Sequence, residues 1–218
     1  MCRRRNAALL SVLTAAVMIA GAVPPAAAGS RNPSRAVLQD GAGDVWASRP
    51  GPGPLTFVPA PGKGRSADFT RVLIRHRHRA LGIQMKFVDL QPRGEQTVVI
   101  GLETPFLYTV MVRASRGRDG AHGLFNPVTE IDCPGFTHEI NYSADRISVR
   151  IPRSCIEEPE WVTVQLRSRL TGHSAAPPYN DNPHNGQALG GGESVGPLYR
   201  EAAEGPTTRA PTPAAAEE

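Results

Sequence analysis

Lysines, cysteines and aromatic residues are all scarce in this chain, and each scarcity excludes something. Lys63 and Lys86 are the only lysines, against 22 arginines, which with the abundant alanine, glycine and proline matches the bias of a high-GC genome. Cysteine occurs three times, at Cys2, Cys133 and Cys155, with no C-x-x-C spacing, so a redox pair or a thiolate metal site lacks its usual signature. Aromatics make up 6% of the residues, and Trp46 and Trp161 are the two tryptophans, with no obvious facing pair to clamp a sugar. There is no G-x-S-x-G, no H-E-x-x-H, no phosphate loop and no dinucleotide fingerprint, so no enzyme class suggests itself. Beyond the N-terminus no apolar run approaches the length of a membrane span, and none shows a sustained 3.6-residue period.

What is present begins with an export segment. Arg3-Arg4-Arg5 precede an uncharged apolar run from Ala7 to Val23, followed by Pro24-Pro25 and Ala26-Ala27-Ala28-Gly29. A positive start, an apolar middle and small residues before the cut define a secretory signal peptide over residues 1–28. Retention as an anchor is the alternative, but Gly21 and the proline pair interrupt the run and favour cleavage. The expected location is therefore secreted or extracellular, where the surroundings are oxidising and rich in calcium. Loss of Arg3, Arg4 and Arg5 with no acid reduces the 24 basic side chains to 21 against 20 acidic ones. That near balance argues against nucleic acid or an anionic membrane as partner, since both need a concentrated positive field. The two remaining cysteines, Cys133 and Cys155, are expected to form a disulfide.

After an N-terminal linker over 29–36, a single domain is expected over 37–201, with a disordered tail over 202–218 whose Pro, Thr, Ala and Glu cannot bury enough apolar surface. Pro50, Pro52, Pro54, Pro59 and Pro61 exclude regular helix, leaving a loop around a short Leu55–Val58 piece. Leu81, Ile83, Met85 and Phe87 alternate with smaller or polar residues, a strand period of two. Further strands are expected at 69–75, 97–102, 107–113, 137–142, 146–151 and 161–166, with a last one near 195–200. Strands at such intervals, separated by turn residues, indicate an all-β protein, a single antiparallel, jelly-roll-like β-sandwich. In a hairpin centred near Asp145, Cys133 and Cys155 fall at the same open end, so their bridge would staple it.

Two groups of residues suggest chemistry. His76 and His78, within Arg75-His76-Arg77-His78-Arg79, would share a strand face and grip a metal, or lie in a solvated turn, which is the favoured reading. In Asp40-Gly41-Ala42-Gly43-Asp44, two carboxylates flank two glycines, a loop able to wrap Ca²⁺, a hard ion that takes six to eight oxygens. Asp68 and Asp89, at the ends of the next two strands, would complete the set if those ends meet. A plain Gly-rich turn with solvated acids is the competing reading.

Asp40-x-x-Gly43-Asp44-Val45-Trp46, then Ala67-Asp68-Phe69-x-x-Val72, then Leu81-x-Ile83-x-Met85-x-Phe87-x-Asp89-Leu90 resembles a group of exported bacterial proteins of unassigned function. More distantly the chain is similar to family 9 carbohydrate-binding modules and DOMON-type domains. The resemblance implies the sandwich fold, acids near the first strands that hold calcium, and aromatics that clamp a sugar. The expected function is a secreted, non-catalytic module for an extracellular or cell-envelope ligand, a polysaccharide being one candidate. A structural or protein-interaction role at the cell surface is the alternative, and a hydrolase using His122 or His138 a more distant one.

Overall fold

The alternation of apolar and polar residues resolves into two stacked sheets. The computed structural model describes residues 33–49, 56–115, 120–172, 178–181, 183 and 195–200. The expected signal peptide over 1–28 and the expected tail over 202–218 lie outside these residues. Strands run in chain order as β1 (Arg35–Gln39), β2 (Trp46–Arg49), β3 (Thr56–Pro59), β4 (Phe69–His76), β5 (Ala80–Phe87), β6 (Glu95–Glu103) and β7 (Leu107–Ser115). They continue as β8 (Ala121–Phe125), β9 (Glu130–Ile131), β10 (Thr137–Asn141), β11 (Arg146–Pro152), β12 (Trp161–Thr171), β13 (Tyr179–Asp181) and β14 (Val195–Tyr199). One sheet is ordered β1-β4-β5-β11-β10; the other is ordered β3-β2-β13-β12-β6-β7-β8-β9, with β14 also on β12. Every pairing is antiparallel, and the protein is a jelly-roll-like β-sandwich.

Side chains alternate between faces along a strand, so each strand gives one row to the core. In β12, Val162, Val164, Leu166 and Leu170 are buried, while Arg167 and Arg169 between them face solvent. In β5 the buried row is Leu81, Ile83, Met85 and Phe87, and Phe87 stacks on Phe69 of β4 with ring centroids 4.9 Å apart. Among the described residues no helix is long and apolar enough to cross a membrane.

The hairpin near Asp145 forms as expected. Asn141 caps a short 3₁₀ turn over Tyr142–Ala144, its Oδ1 accepting the Ala144 amide at 3.0 Å. Cys133 and Cys155 are disulfide-bonded at the open end, with Cα atoms 5.5 Å apart. Several boundaries differ from expectation, and β2, β8, β9 and β13 are strands beyond those expected. Strand β1 starts at Arg35, inside the stretch read as linker, because Arg35–Gln39 pairs along Arg71–Arg75 of β4. Strand β12 runs on to Thr171, because its outward arginines leave the buried row uninterrupted.

Candidate metal centre and ligand cleft

Four aspartates gather where strand ends from both sheets meet. Asp40 follows β1 directly, and its amide donates to the Thr70 carbonyl of β4 at 3.1 Å, which fixes the start of the loop. The loop turns at Gly43, whose φ of +95° is a conformation that favours glycine, and Asp44 leads into β2. Asp68 precedes β4 and leans into this loop, its Oδ2 accepting the Gly43 amide at 2.8 Å. Asp181 ends β13 and accepts the Phe69 amide through Oδ2 at 2.7 Å. Asp40, Asp44 and Asp181 each bring a carboxylate oxygen within 4.8 Å of the others.

These charges are expensive where they sit. Burial, then the negative charges of Asp181 and Asp44, push the Asp40 carboxyl up to about 8. Asp68 is pushed up to about 6, by burial first and then by Asp44, against the Gly43 hydrogen bond. Asp68 is 1% exposed, yet its Oδ1 has no hydrogen-bond partner, and the buried Oδ2 of Asp40 has none either. A buried anionic oxygen without a donor is costly unless a cation sits against it. Oxygens on opposite sides of one Ca²⁺ lie about 5 Å apart, twice the bond length of roughly 2.3–2.6 Å, so the spread of the cluster suits that ion.

Of the four expected ligands, Asp40, Asp44 and Asp68 come together and Asp89 does not. Val88 is the residue whose amide reaches the Asp68 carbonyl, at 2.9 Å, so Asp89 lies one step beyond. Its carboxylate meets Gln91 Nε2 and, at 3.9 Å, Arg65 Nε on the exposed side. Asp181 supplies the further carboxylate instead. It lies within the polar stretch after Gly172, where a three-residue strand offers no alternation to detect; the acid itself was the one signal.

The histidines resolve differently from a shared-face pair. His76 is fully buried at the end of β4, its Nδ1 2.8 Å from the Leu198 carbonyl oxygen, while His78 is exposed in the turn. Burial, with Arg153 and Arg200 adding to it, holds the His76 pKa below the usual imidazole value. His122 and His138 touch each other, Nδ1 to Nδ1 at 2.6 Å, and burial then His138 lower the His122 pKa.

A second feature lies on the outer face of the nine-stranded sheet. A cleft of about 500 Å³ spans β2, β3, β13, β12, β6 and β7, with Ser48, Asn180 and Phe57 along one wall. Arg113, Arg167 and Arg169 enter it from the strands. Adjacent residues of β13 point to opposite faces, so Asn180 lines this cleft while Asp181 belongs to the acidic cluster. Sequence reading passed over these arginines, although Arg167 and Arg169, two apart in a strand, had to share a face. No family model matches the chain, and no curated protein and no solved structure matches it either.

Proposed function

We propose that this protein is an exported, non-catalytic β-sandwich module that binds an extracellular or cell-envelope ligand, its binding face held in place by calcium. Asp40, Asp44, Asp68 and Asp181 are the metal's carboxylate ligands. The observation that carries the metal is the trio Asp40, Asp44 and Asp181, whose carboxylate oxygens lie within 4.8 Å of one another while the buried Oδ2 of Asp40 has no hydrogen-bond partner. Calcium joins the loop before β2 to the end of β13, and these two strands carry Ser48 and Asn180 in the cleft wall. The cleft is the ligand site, its mixed polar and apolar lining suited to a saccharide.

The experiment is thermal unfolding of the mature protein with calcium and with chelator, alongside calorimetric titration of the ion. Calcium should raise the melting temperature, and Asp68→Asn should remove the rise while leaving the circular dichroism spectrum unchanged. Melting indifferent to calcium and chelator alike would reduce the loop to a turn. A second reading, a surface component joined to another protein, is favoured by Phe106, Leu107 and Val128, which are 55%, 60% and 91% exposed, Leu107 at the start of β7 and the other two in bends.

A further inference from the structure

We propose that the cleft takes an acidic polysaccharide, a chain of sugars bearing carboxylates; this rests on the binding-module reading above and names its ligand class. The three arginines are the reason. Arg113, Arg167 and Arg169 are exposed, and none makes an ion pair among the described residues. Arginines left unneutralised on one face of a nearly charge-balanced protein mark where an anion is expected.

Their placement follows from strand register. Arg169 of β12 stands opposite Thr97 of β6, and Thr97 opposite Arg113 of β7, so two guanidinium groups flank a hydroxyl across neighbouring strands. Two strand gaps place those backbones about 10 Å apart, and Arg167 lies about 7 Å along β12 from Arg169. Cations spread in this way along an open trough match charges repeated along a polymer. The guanidinium fork meets a carboxylate with two parallel hydrogen bonds, which a lysine cannot do. Thr97 and Asn180 are placed for sugar hydroxyls, and Phe57 and Met111 for the apolar faces of the rings.

The trough does not end at β7. A neighbouring depression of about 200 Å³ shares Met111 and Arg113 and continues over β8 to Phe125. Gly123 makes room there: a Cβ on it would lie 2.7 Å from the Phe125 ring, so the ring lies across a bare backbone. Nucleic acid fits less well. A row of aromatics for stacking bases is missing from the described lining of the cleft.

The test measures binding of short oligogalacturonides to the calcium-loaded protein, beside maltooligosaccharides and a single-stranded DNA of equal charge. The uronide should bind, more weakly as salt rises, and the other two should not. The double variant Arg167→Ala/Arg169→Ala should lose at least about tenfold in affinity, as expected for removing charge-assisted hydrogen bonds. Arg113→Lys should lose affinity while keeping the charge. Arg75→Ala/Arg150→Ala, around a smaller depression of about 220 Å³ on the other sheet, should change nothing. Equal binding of DNA would overturn the acidic-sugar assignment in favour of a general polyanion site, and equal loss in the Arg75/Arg150 pair would move the site. Binding of the neutral sugar alone would leave a binding module standing and sink the acidic class. Binding of none, with calcium still stabilising the fold, would remove the ligand and spare the metal.

Discussion

The amide of Phe69 donates to Oδ2 of Asp181 at 2.7 Å, joining residues 112 apart in sequence. Phe69 opens β4 in the five-stranded sheet, and Asp181 closes β13 in the nine-stranded one. The bond therefore clamps the two sheets at the corner where the acidic loop lies. It also fixes Asn180, the neighbour of Asp181, on the opposite face at the cleft. A cation on the aspartates would strengthen this clamp and stiffen one wall of the cleft.

Replacing Asp181 separates the structure's ligand set from the one the sequence suggested. With free calcium about a hundredfold above Kd, the native state gains about 2.7 kcal/mol, which in a domain this size is a rise in Tm of about 5–10 °C. Asp181→Asn keeps an oxygen for the Phe69 amide and removes the charge, so the rise should disappear. Asp89→Asn should retain it in full, because that carboxylate faces Arg65 and Gln91. Differential scanning calorimetry of both variants decides between the two sets.

Stability toward acid should depend on His76. Its neutral form donates from Nδ1 to the Leu198 carbonyl oxygen, leaving Nε2 buried without a partner, and burial lowers its pKa. The unfolded chain then binds a proton near pH 6.5 that the native state refuses, so this residue's contribution to stability falls as pH drops below about 6.5. The raised Asp40 and Asp68 carboxyls act with the opposite sign, so the measurement is a difference between wild type and His76→Asn. The asparagine Nδ2 keeps a donor for Leu198 without titrating. Parallel Tm curves for the two proteins between pH 7.5 and 5 would contradict the assignment.

The Cys133–Cys155 bridge closes a segment of 22 residues. The chain-entropy account gives such a loop about 3 kcal/mol, so the double serine variant should unfold at correspondingly lower denaturant. Calcium binding should survive, since neither cysteine lies in the acidic loop or in β13. An unchanged denaturation midpoint would show that the hairpin holds without its staple.

What was legible in the sequence was what is local. Leu81 to Phe87 announce a strand by their own alternation, and Asp40 and Asp44 announce a turn with two acids, because the signal lies within a few neighbouring residues. Cys133 and Cys155 were readable as a pair because the hairpin between them is continuous. Asp181 was not readable, since its place depends on Ser168 standing opposite it in β12 and on the Phe69 amide in the other sheet. Asp89 was expected because β4 and β5 bring their ends together, as they do, but Val88 takes the place facing Asp68. The five residues of β1 and the three of β13 are too short and irregular to alternate convincingly; pairing with β4 and β12 makes them strands.

Gly64 tests the link between loop packing and the metal. Its φ is +62°, and an alanine Cβ there would lie 2.5 Å from Cβ of Tyr179, the first residue of β13. Gly62, two residues earlier, has φ +72° and open space around it. Both substitutions carry the left-handed strain of about 1–2 kcal/mol, so Gly62→Ala measures that strain alone. Gly64→Ala must in addition push Tyr179, and with it Asp181, away from Asp40 and Asp44. It should therefore be the less stable of the two, and it alone should weaken calcium affinity in a calorimetric titration. If both variants bound calcium as the wild type does, the position of β13 would not control the site, and Asp181 would lose its role as a ligand.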